Sequence, residues 1–137
     1  MAISGWLEDV CGQTFDVYDF NRQDFYRRFN EIMDFGEGPF SPEQVAYLEA
    51  TLQAGHYTVE NIVEIRKKAD RHVTQLRIGG LNTRRPKIAL VQLNDELDRD
   101  SREIRDMIDE LRDIRYDIAI CPTNLKNLKR HSRCITI

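Results

Sequence analysis

The stretch Ser41-Pro42-Glu43-Gln44-Val45-Ala46-Tyr47-Leu48-Glu49-Ala50-Thr51-Leu52-Gln53-Ala54-Gly55-His56-Tyr57-Thr58 decides how the middle of this chain folds. Its start is a helix signal: serine at the cap, proline at the first helical position, glutamine at the third. Val45, Tyr47, Leu48 and Leu52 supply apolar residues, and Ala54-Gly55 reads as a stop. Thr58 then reads as the cap of a second helix from about Val59 to Leu76. Its apolar residues Ile62, Ile65, Ala69, Val73 and Leu76 recur at helical spacing. Two helices joined by a short glycine-containing turn predict a helix-turn-helix-like unit.

On the N-terminal side, nine of the twelve aromatics fall within residues 6–40. Asn21 reads as the cap of a helix whose apolar face is Phe25, Tyr26, Phe29, Ile32 and Met33, ended by Gly36 and Gly38-Pro39. This aromatic face either docks the helix onto the domain or forms a partner-binding surface.

On the C-terminal side, Gly79-Gly80 breaks the second helix, and Asn82 to Pro86 reads as a polar loop. Lys87 to Leu93 is short and apolar, as a strand is. A helix from about Asp95 to Ile114 follows, with Leu97, Ile104, Met107, Ile108 and Leu111 on one stripe. Opposite charges such as Asp98 and Arg102 lie at i, i+4. Tyr116 to Cys121 reads as a second strand, and Ser132–Ile137 as a possible third. The fold class expected is therefore α+β, mostly helical. Residues 1–80 form N-terminal helices with the helix-turn-helix-like unit, and 81–137 form a small βαβ unit packed with them.

Charge is sorted into blocks. Residues 1–65 hold 12 acids against 3 bases, whereas 66–87 hold eight bases against Asp70 alone. Residues 88–118 are acidic again, 10 to 5, and 119–137 hold four bases and no acid. The formal net charge of −3 conceals this basic block. Local fields govern partner choice, because screening limits their reach to about 8–10 Å.

Lys67, Lys68 and Arg71 fall opposite the apolar stripe, and Arg84, Arg85 and Lys87 fall in the following loop. That distribution suits the phosphates of duplex DNA. His72 and Gln75, with Asn61 and Thr74, offer polar groups to base edges. The helix dipole alone also favours Glu60 and Glu64 near a helix start and bases near its end, so a solvated face remains open. The dipole does not account for the loop bases.

The run His56-Tyr57-Thr58-Val59-Glu60-Asn61-Ile62-Val63-Glu64-Ile65-Arg66 resembles the Y-T-x-x-x-I-x-x-I/M-R stretch of MerR-like DNA-binding regions. Such regions also precede the ATPase domain of plasmid-partition ParA-type proteins. The resemblance spans residues 41–93 and implies DNA binding. It does not extend to ATP. A ParA-type protein has a glycine-rich phosphate loop with lysine after its first strand, and here Asn94-Asp95-Glu96-Leu97-Asp98 follows instead.

The function expected is a non-catalytic, DNA-associated regulatory or partition-type protein, dimeric through helix 95–114. One alternative is a protein-interaction or inhibitor module using the aromatic, acidic N-terminal half, including nucleic-acid mimicry. Another is a degenerate α/β nucleotide-binding remnant. No catalytic triad, cofactor or metal is expected. The acids of 94–100 suit a helix start as well as a cation, and Cys121, His131 and Cys134 lack a fourth zinc ligand. Cys134-Ile135-Thr136-Ile137 has only the outline of a prenylation box. Three scattered cysteines, no signal-like start and no long apolar run lead to an expected cytoplasmic location without a membrane partner.

Overall fold

A computed structural model describes residues 5–36 and 39–120. It contains three long α-helices: α1 (Gly5–Met33), α2 (Pro42–Ile78) and α3 (Arg84–Ile120). Successive helices run antiparallel. Tyr47 donates a hydrogen bond to Glu31 at one end of the α1–α2 pair, while Cys11 lies beside the Ile65 carbonyl further along. Likewise, Arg66 pairs with Asp98 and Arg115 with Glu49 across α2 and α3. α2 is the central helix, packing along both neighbours, and α1 and α3 approach each other only sparsely.

The expected α+β class is thereby corrected to an all-helical bundle, since no strand occurs among the described residues. The helix-turn-helix-like unit is a single helix, and the positions read as its turn have other tasks. Thr58 does not cap; its hydroxyl donates 2.9 Å to the Ala54 carbonyl one turn back, and Thr51 bonds Tyr47 in the same way. Both threonines are buried with their hydroxyls satisfied by the helix itself.

Gly55 is buried inside α2. A Cβ there would stand 2.7 Å from Phe25 Cε1 and 3.0 Å from Ile108 Cγ1. The missing side chain lets α1 and α3 close upon α2 at the same level. Glycine costs a helix interior about 1 kcal/mol relative to alanine. Here that cost is exchanged for close packing of three helices.

The expected βαβ unit is likewise one helix, α3. Ala89, Leu93 and Leu97 are buried at intervals of four, as are Ile104, Ile108, Leu111, Ile114 and Ile118 at three or four. The apolar run 87–93 therefore divides between two faces, with Ile88 and Val91 turned to solvent. No glycine or proline interrupts residues 88–119, so nothing ends a strand there. The nucleotide-binding remnant loses its structural premise with that unit. Asn21 also caps nothing, being well inside α1. Cys121, His131, Cys134 and the expected strand at 132–137 lie outside the described residues.

The α2 start agrees with expectation. Gln44 N–H donates to Ser41 Oγ at 3.2 Å, and Ser41 N–H donates to Gln44 Oε1 at 2.9 Å, a complete capping box. Ser41→Ala is expected to cost about 1 kcal/mol, read from the midpoint of urea unfolding.

A polar cluster joins α1 to α3. Tyr18 donates to Asp100, which also receives Arg22 Nη1 at 2.9 Å, while Arg22 Nη2 holds Asp19 at 2.9 Å. Burial raises the Tyr18 phenol well above its ordinary value, and the hydrogen bond to Asp100 adds to the shift. Burial and the Glu103 charge push Tyr26 up to about 12. Both rings favour the neutral form in the folded protein. Their contribution to stability is full below pH ~10, where the unfolded phenol titrates, and declines as pH rises toward the folded values. Tyr18→Phe is expected to flatten the fall of stability above pH ~10, and to cost about 1–2 kcal/mol at neutral pH. Urea unfolding across that pH range measures both.

Candidate nucleic-acid interface

The α2–α3 turn determines where the basic residues come together. α2 ends in a left-handed glycine motif: Gly80 has φ of 77°, its N–H donates to Arg77 O, and Leu81 N–H donates to Leu76 O, each at 3.0 Å. Asn82 Oδ1 accepts the Arg84 N–H at 3.0 Å, and the Thr83 carbonyl accepts Lys87 N–H at 2.9 Å. This compact turn folds α3 back along α2. It sets the last turns of α2 and the first turn of α3 at one end of the bundle.

Arg84, Arg85 and Lys87, expected in a loop, occupy the first turn of α3 instead. All three are exposed. On α2, Lys67 and Arg71 are exposed one turn apart, and Gln75 is exposed a turn further on. Lys68 and His72 are half-buried. Lys67, Arg71, Arg84, Arg85 and Lys87 make no ion pair among the described residues. Arg66 is set apart from them by its pairing with Asp98, whose expected partner in sequence was Arg102.

The bases therefore gather toward one end, although no helix-turn-helix occurs among the described residues. Arg77, also exposed, belongs to this group and was overlooked as a site residue. Its place in the last turn of α2 was the available signal. Cys11 is buried under α2, and burial raises its pKa against the lowering field of Lys68.

No family model, curated protein or solved structure matches this chain. What the site can do therefore rests on its own chemistry. Two of the bases are placed against local helix preference. The N-terminal turn of a helix carries partial positive charge from unpaired N–H groups, so Arg84 and Arg85 there are unfavourable by a few tenths of a kcal/mol each. In contrast, Arg77 at the end of α2 is dipole-matched.

Among the described residues no helix is long and apolar enough to cross a membrane. No cluster of three or more His, Cys, Asp or Glu suited to a metal ion occurs among them either. Of the apolar stripe of helix 95–114, Leu97, Ile104, Ile108 and Leu111 are buried within the bundle and Met107 is half-buried.

Proposed function

We propose that this protein is a non-catalytic module that binds nucleic acid through phosphates at the basic end of the α2–α3 hairpin. The observation that carries this reading is the first turn of α3. Arg84, Arg85 and Lys87 are exposed and make no ion pair among the described residues, and Arg84 and Arg85 sit where the helix dipole disfavours them. Cations kept against a local cost, without an internal partner, are suited to an external anion. Lys67, Lys68, Arg71 and Arg77 extend the same field along α2.

The binding is phosphate-led. Thr74 and Gln75 are exposed polar residues that can approach a base, and His72 is half-buried. Without a helix presented for the major groove, affinity varies little with base sequence. Regulation or partition functions that need only a DNA-associated protein are compatible with this mode.

Fluorescence polarisation with two unrelated duplexes of equal length tests the proposal. Binding at ~50 mM salt, similar for both duplexes and weakened by about 10³-fold or more at ~200 mM, is the expected result for six or more phosphate contacts. Absence of binding at ~50 mM salt overturns it.

A further inference from the structure

The basic end carries four exposed apolar residues that phosphate binding does not use. Ile78 is 80 % exposed, Leu81 61 %, Ile88 52 % and Val91 59 %. They neighbour Arg77, Arg84, Arg85 and Lys87 in sequence, on either side of the α2–α3 turn. An apolar patch ringed by charge on an otherwise well-packed bundle is characteristic of a protein-docking surface.

The complementary surface lies on the other seam of the same molecule. α1 and α3, held apart by α2, leave two cavities between them, of about 130 Å³ and about 450 Å³. The smaller has Phe15, Leu93 and Leu97 in its lining, beside Asp16, Asp19 and Glu96. The larger, a turn further along, has Tyr26, Phe29 and Met107 beside Glu103, Asp106 and Glu110. Among the described residues lining these cavities, Arg22 is the one base, and it is held by Asp19 and Asp100. The seam is thus an apolar groove with acidic walls.

We propose that the basic hairpin end of one copy docks into the acidic α1–α3 groove of a second copy. Each surface supplies what the other lacks. Ile88 and Val91, three residues apart on the outer side of α3, form the kind of short apolar helix face that a groove accepts. Arg84, Arg85 and Lys87 then meet Glu103, Asp106 and Glu110 on the wall. Opposite fields steer the encounter and set its orientation, while burial of the apolar residues holds it. The contact joins two different patches, so it forms either a reciprocal pair or a head-to-tail chain.

This inference does not depend on the nucleic-acid reading, although both use Arg84 and Arg85. Phosphates and a second copy therefore compete for the same end.

Sedimentation velocity of the full chain, over a concentration series at ~50 and ~500 mM salt, tests the contact. Two variants are compared: a tip variant, Arg84→Glu with Arg85→Glu, and a groove variant, Glu103→Lys with Asp106→Lys and Glu110→Lys. All five positions are exposed, so both variants are expected to fold. Wild-type mass should rise with concentration at low salt and return to monomer at high salt. Each variant alone should lose at least ~10-fold in association constant. An equimolar mixture of the two should associate again, because each supplies the surface that complements the other.

Three results overturn the proposal. The first is a monomer at every concentration. The second is association unchanged in either variant, and the third is a mixture that stays monomeric. Duplex binding by a neutral groove variant, Glu103→Gln with Asp106→Asn and Glu110→Gln, separates the two readings. It should persist if nucleic acid binds the tip, whether or not the copies associate.

Discussion

Gly55→Val is expected to destabilise the protein by about 3 kcal/mol or more, shown by a lower midpoint of urea unfolding. A Cβ at this position would stand 2.7 Å from Phe25 Cε1, and 3.0 and 3.1 Å from Ile108 Cγ1 and Cδ1. Neither neighbour has room to yield. Phe25 is completely buried and Ile108 nearly so. Valine adds two methyl groups beyond the offending Cβ and loses rotamer freedom inside a helix.

Gly55→Ala is a gentler case of the same effect. Alanine improves helix propensity by about 1 kcal/mol, which offsets part of an overpacking cost of about 1–3 kcal/mol. Gly12 supplies the control, since it is helical and has no heavy atom within 4 Å of a built Cβ. Gly12→Ala is expected to be neutral or stabilising by up to about 1 kcal/mol. Opposite outcomes for the same substitution at two helical glycines identify packing as the cause.

Charge reversal at Lys67, Arg71 and Arg84 together is expected to lower duplex affinity at least ~100-fold at ~50 mM salt. Each reversal removes one phosphate partner and adds a repelling carboxylate. The three side chains are exposed, so the loss should come without unfolding. Arg84→Glu makes the cause separable. A carboxylate in the first turn of α3 matches the helix dipole, and the single variant is expected to gain about 0.3–1 kcal/mol in stability while binding less well. Thermal unfolding and polarisation on the same sample read both effects. Weaker binding by a more stable protein excludes damage to the fold as its explanation.

Much of the helical content was legible in the sequence, and the breaks between helices only partly so. Ser41-Pro42-Glu43-Gln44 and Gly79-Gly80 mark true helix ends because they act through local hydrogen bonds to neighbouring residues. Gly55 and Thr58 mislead because their roles are not local. One makes room for Phe25 and Ile108, which are distant in sequence, and the other bonds within its own helix. The same limitation applies at 87–93. A short apolar run suits a buried strand or a helix, and only the continuing interval from Ala89 to Leu93 to Leu97 distinguishes them.

The basic residues were identified from composition, but their placement was not. Arg84, Arg85 and Lys87 reach the bases of α2 because α3 turns back along α2, which no pairwise spacing encodes. Phe15 meets Leu93 and Leu97 in one cavity, and Tyr26 and Phe29 meet Met107 in another, for the same reason. Their acids were visible only as separate blocks in two parts of the chain.

The most direct test of the central claim is the salt dependence of duplex binding for wild type and Arg84→Glu. A phosphate-led site gives log K falling linearly with log salt concentration, at about 0.9 per phosphate neutralised. Wild type is expected to show a steep line, and Arg84→Glu a slope shallower by about one. Binding that ignores salt, or a slope unchanged by Arg84→Glu, contradicts the assignment of the α2–α3 basic end as the nucleic-acid interface.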